Sequence, residues 1–153
     1  MLATEPEPWP DEGVVEEVVI EATVESLGLR LHSPKPSGSE LEYFSVEVGD
    51  PTAHASSRVY AIGSGGLVPL FAEMAARWRG WQGEKSWSSC EGDFALTCTA
   101  DGKGHVQIIV RLESMMFPRP WTFEGRVLVE AGQLDRLAAQ MREFVEGART
   151  ADG

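Results

Sequence analysis

Two cysteines and three histidines are too few and too scattered for a disulfide framework or a metal site. Cys90 and Cys98 have no spacing of that kind, and His32, His54 and His105 belong to no ligand or hydrolase motif. No metal and no cofactor is expected. No apolar run approaches the ~20 residues that span a bilayer. The first thirteen residues, MLATEPEPWPDEG, lack the basic and apolar regions of a secretory signal. These absences predict a soluble, cytoplasmic protein. Basic residues are scarce at the start: residues 1–50 hold twelve acids and two bases, whereas residues 51–153 hold twelve acids and eleven bases. The formal net charge of −11 therefore sits mostly in the first third. Such a field repels nucleic acid and anionic membranes and draws in a basic partner, although an acid excess also serves solubility alone.

What is present reads as one domain, since 153 residues suffice for a single core. Pro6, Pro8 and Pro10, interleaved with acids, predict an extended acidic arm over residues 1–13. From residue 14 the pattern alternates. Val18, Ile20, Ala22 and Val24 face one way and Glu17, Glu21 and Glu25 the other, as in a half-buried strand. A turn at residues 26–28, a strand LGLRLHS, a loop SPKPSGS and strands ELEYFSVEV and ASSRVYAI follow. The period then changes. Leu67, Leu70, Phe71, Met74 and Trp78 share one face of a helix, with Pro69 tolerated in its first turn and Gly80 ending it. FALTCTA and HVQIIVRLE form a hairpin, and a loop over 100–104 sets Cys98 opposite Val106, Leu96 opposite Ile108 and Phe94 opposite Val110. WTFEGRVLVE adds a strand. Leu134, Leu137, Ala138, Met141, Phe144 and Val145 make a second amphipathic helix, capped at Gly147, with residues 148–153 as a frayed tail. The order predicts an α+β domain over residues 14–147: a curved antiparallel β-sheet with two amphipathic helices packed on one face.

No catalytic constellation is visible, so no enzyme is expected. Gly63, Gly65 and Gly66 precede the first helix but lack the Lys-Ser/Thr of a P-loop. Cys98 reads as a core residue, and His105 as a strand-start residue bonding its own hairpin. In WRGWQGEKSWSSCEGDF, residues 78–94, Trp78, Trp81 and Trp87 lie among balanced charges rather than in a basic groove. They read first as rings fastening a helix-to-sheet corner, with Trp81, between glycines, the one expected to be partly exposed, and alternatively as a small-ligand site together with the concave side of the sheet. The acidic face of Glu17, Glu21, Glu25 and Glu47 is the candidate surface for a basic protein partner.

The pattern W-x-G-x-x-x-W-x-S-x-E-G over 81–92, D-x-x-G-H-V over 101–106, a tryptophan strand and a final helix with Leu134, Leu137 and Phe144 resembles a bacterial family of small uncharacterised proteins. These in turn look like the WapI-type immunity proteins that neutralise contact-dependent toxins. The likeness covers roughly residues 40–147. It implies a cofactor-free, cytoplasmic binding protein that occludes a toxin domain, often a nuclease with a basic cleft.

Overall fold

The computed structural model describes residues 16–62 and 65–152. The acidic arm over residues 1–13 and Gly63 lie outside the described residues. Alternating apolar residues build eight strands: β1 (Val18–Ile20), β2 (Gly28–Ser37), β3 (Glu40–Gly49), β4 (His54–Tyr60), β5 (Lys85–Ser88), β6 (Phe94–Ala100), β7 (His105–Ser114) and β8 (Trp121–Glu130). Helix α1 (Leu67–Ala76) separates β4 from β5, and α2 (Leu134–Asp152) closes the chain after a single 3₁₀ turn. The fold is α+β. The strands do not form one sheet, however. They form two four-stranded antiparallel meanders, β1-β2-β3-β4 and β5-β6-β7-β8, because short links pair neighbours within each half while α1 keeps the halves apart.

One core unites them. The first sheet contributes Val18, Ile20, Leu29, Leu31, Phe44, Val46, Val48 and Val59; the second contributes Trp87, Phe94, Leu96, Cys98, Ile108, Val110, Leu112, Val127 and Val129. Both helices bury one stripe in the same core, Leu67, Leu70, Phe71 and Met74 from α1 and Leu134, Leu137, Met141 and Phe144 from α2. Phe44 is the junction. Its ring stands edge-on to Phe94 at 6.0 Å and to Phe144 at 5.8 Å, so one side chain touches the second sheet and α2.

Several local expectations change. Strand β1 stops at Ile20, because Thr23 and Ser26 close a turn by mutual backbone hydrogen bonds; Ala22 and Val24 are therefore exposed instead of buried. Strand β2 runs on into the SPKPSGS stretch as far as Ser37. Strand β1 pairs with Leu29–Leu31, and register irregularities next to Lys35 accommodate Pro34 and Pro36. The β6–β7 register is Ala100 opposite Val106, Cys98 opposite Ile108, Leu96 opposite Val110 and Phe94 opposite Leu112. That is a shift of two residues, which keeps every side chain on its expected face. Asp101 sets it: its carboxylate accepts from the Lys103 N–H at 2.6 Å and the His105 N–H at 3.0 Å, which holds the carboxyl below its ordinary pKa. Strand β5, expected only as part of a corner, pairs with β6. Helix α2 continues past Gly147 to Asp152, so this glycine is not its cap and residues 148–152 are helical.

Two outcomes test this core. Phe44→Ala removes the ring common to three elements and should cost about 3–5 kcal/mol in denaturant unfolding. Burial pushes the Cys98 thiol up to about 12, whereas Cys90 is exposed. A thiol reagent at pH 8 should therefore label Cys90 alone in the folded chain and both cysteines after denaturation.

Candidate functional site

Period-two geometry that sends Leu29, Leu31, Val46 and Val48 into the core sends Arg30, His32, Ser45 and Glu47 to the opposite face of the first sheet. Cross-strand pairing places Arg30 beside Glu47 and His32 beside Ser45. On this face the charges find one another. Arg30 Nε donates to Glu17 Oε1 at 2.7 Å. Glu47 lies between two imidazoles, with Oε2 2.9 Å from His32 Nε2 and Oε1 3.2 Å from His54 Nε2. Further along, Arg58 covers the Tyr43 ring at 4.4 Å, and Tyr43 meets Tyr60 edge-on at 5.4 Å.

The four glutamates singled out from the sequence therefore divide into two pairs. Glu17 and Glu47 are partly buried and engaged within the chain. Glu21 and Glu25 are exposed, and no ion pair reaches either among the described residues. They flank the turn that carries Val24, whose side chain is fully open to solvent. A cleft of about 340 Å³ is lined by Glu17, Glu21, Arg30, Glu47 and His54, with Glu25 outside it.

The geometry also brings histidines to carboxylates, which spacing alone did not reveal. His32 Nδ1 lies 2.8 Å from Ser33 Oγ while its Nε2 contacts Glu47, and Ser33 holds a left-handed φ of 53°. Hydroxyl, imidazole and carboxylate are connected in the order that nucleophilic catalysis uses. Ser33 itself lines neither this cleft nor the smaller one around His32, Ser45 and Arg58. His32 is buried, and the chain of bonds satisfies it. His105 contacts Asp101 at 2.9 Å on the exposed β6–β7 hairpin, in keeping with its expected local role.

The tryptophans occupy three different environments rather than one cluster. Trp87 is buried; its indole N–H donates to the Gly65 carbonyl at 3.2 Å and its ring meets Phe94 edge-on at 5.4 Å. It fastens the start of α1 to the second sheet. Gly66, at φ 119°, lies so close to that ring that a Cβ would approach it to 3.0 Å. Trp81 is half-buried under Lys85, with its indole N–H buried and unbonded among the described residues. Trp78, expected on the buried face of α1, is instead 52% exposed and stacked by Arg79. The helix ends at Ala76 with Arg77 outside helical geometry, so its periodicity no longer governs residue 78. None of the three lines the apolar cleft of about 450 Å³ between β3 and the helices, formed by Leu41, Phe44, Ala61, Leu67, Val68 and Val145.

A family model matches residues 19–148, from β1 into α2. The chain belongs to DUF6228, a family of unknown function. No curated protein and no solved structure matches it. Among the described residues of this DUF6228 chain no helix is long and apolar enough to cross a membrane, and no group of three or more His, Cys, Asp or Glu is placed to hold a metal ion.

Glu47→Gln tests the polar network. Removing the charge between a buried and an exposed imidazole should cost about 1–3 kcal/mol in urea unfolding at pH 7. Glu21→Gln, on a side chain without an ion partner, should change stability by less than about 0.5 kcal/mol.

Proposed function

We propose that this DUF6228 protein is a non-enzymatic protein-binding domain of the immunity type, which occludes a basic partner such as a toxin domain through the β1–β2 turn. The observation that carries the reading is the contrast among its glutamates. Glu17 and Glu47 are spent on the chain's own Arg30, His32 and His54, whereas Glu21 and Glu25 stand exposed beside a bare Val24. Two free carboxylates around one apolar side chain offer a basic surface both steering and a small desolvated contact. The acid surplus of the first fifty residues extends that field, and the likeness to WapI-type immunity proteins supports the same assignment. Since Glu17 and Glu47 already have partners, the recognition surface is narrower than the four-residue face expected from alternation.

A second reading, a small-ligand-binding domain, is favoured by the apolar cleft of about 450 Å³, a size that suits a small organic molecule. The tryptophan trio does not line it. Trp87 nevertheless reports on it, because its indole bonds to Gly65 at the cleft wall.

Capture from native lysate separates the two. The full chain should retain a basic protein at low salt, and Glu21→Gln with Glu25→Gln should weaken retention about fivefold to tenfold, while Glu17→Gln changes it little. Capture that is indifferent to both exposed glutamates would remove the turn from the account. A shift in Trp87 fluorescence with an apolar metabolite, in the absence of any protein partner, would favour the ligand reading.

A further inference from the structure

The second sheet ends at β8 in an edge that is covered over only part of its length. Odd-numbered residues of β8 bond to β7, so the backbone groups of Thr122, Glu124, Arg126 and Leu128 point outward. Two of these four are covered by the β1–β2 turn, where the Leu27 N–H donates to the Arg126 carbonyl at 3.2 Å and the Leu128 N–H donates to Ser26 Oγ at 2.8 Å. The outward groups of Thr122 and Glu124 have no backbone partner among the described residues. An open strand edge is a template for another strand. Beside it the β7–β8 loop holds Met115, Met116 and Phe117, exposed by 72, 74 and 92%, and Trp121 starts the strand half-exposed. A closely spaced apolar group of this kind marks an association surface.

We infer that the partner of this edge is a second copy of the chain, paired antiparallel across a twofold axis at Phe123. Only register choices that match outward residue to outward residue are allowed. Centring on Glu124 would set two carboxylates face to face, and centring on Gly125 would require the edge that Ser26 and Leu27 already occupy. Centring on Phe123 sets Thr122 opposite the second copy's Glu124 and Trp121 opposite its Gly125, which has no side chain and lies under Leu27. The indole then meets Leu27. Beyond Trp121 the same register carries the loop of each copy over the β1–β2 turn of the other. The loop presents Met115, Met116, Phe117 and Arg119; the turn presents Val24, fully exposed, and Glu25 without an ion partner. Apolar meets apolar and base meets acid, twice by symmetry. The pairing does not depend on the partner proposed above. Because it uses Glu25, it would compete with capture of a basic protein.

The test uses the full chain alone. Sedimentation equilibrium up to about 100 µM should show a dimer whose population rises with concentration. Thr122→Pro removes an outward N–H that β7 does not use, and should weaken dimerisation by about tenfold or more with the hairpin retained. Phe117→Asp, on an exposed loop, should do the same with an unchanged circular dichroism spectrum. Glu25→Arg and Arg119→Glu should each weaken the dimer and together restore it. A chain that stays monomeric throughout, or a dimer indifferent to both Thr122→Pro and Phe117→Asp, would overturn the inference.

Discussion

Among the described residues the β1–β2 turn ties the two sheets together at the edge of β8, where the Leu27 N–H donates to the Arg126 carbonyl and the Leu128 N–H to Ser26 Oγ. Buried polar groups have to be paired, so this seam fixes where the first meander ends and how the second is flanked. The turn that makes the seam also projects Val24 and Glu25 outward, and the edge it covers stops short of Thr122 and Glu124. Both surfaces argued above, the acidic turn and the open edge, follow from a seam only a few residues long. Gly125 is part of the same constraint: Leu27 fills the space a side chain would need there.

Charge is distributed by a different rule. On the outer face of the first sheet, cross-strand neighbours at period two bring Glu17 to Arg30 and Glu47 to His32 and His54, and each pairing removes a carboxylate from the pool offered to solvent. Net charge is therefore a poor guide to the displayed field. What matters is which acids lack a neighbour of opposite sign, and of the four glutamates of this face those are Glu21 and Glu25, at the turn where the chain leaves the ladder. The same ladder assembles Ser33, His32 and Glu47 into a chain of hydrogen bonds that satisfies a buried imidazole.

Much of the secondary structure was legible because it rests on short-range periodicity. Seven of the eight strands and both helices follow from alternating or three-four spaced apolar residues, and the core face of β6 and β7 survived a register shift since side-chain direction repeats every two residues. Boundaries were less legible. Trp78 continues the helical spacing of Leu67 to Met74, yet the helix ends before it, and the residue stands exposed. Val24 continues the alternation of Val18 and Ile20, yet a turn closed by Thr23 and Ser26 removes it from the strand. Gly147 carries a common end signal, but α2 runs through it. At Val24 and Trp78 backbone hydrogen bonds of the turn and of the helix end interrupt a pattern that spacing alone would extend.

The amino-acid order by itself determined most of the elements, the identity of most buried residues and the imbalance of charge between the first third of the chain and the rest, since these depend on local pattern and composition. Tertiary structure alone decided that the strands divide into two sheets, that Glu17 and Glu47 are engaged while Glu21 and Glu25 are not, and that the three tryptophans part company. Those outcomes depend on residues far apart along the chain meeting in space. Periodicity reports the direction a side chain faces, whereas the partner it finds there is set by packing.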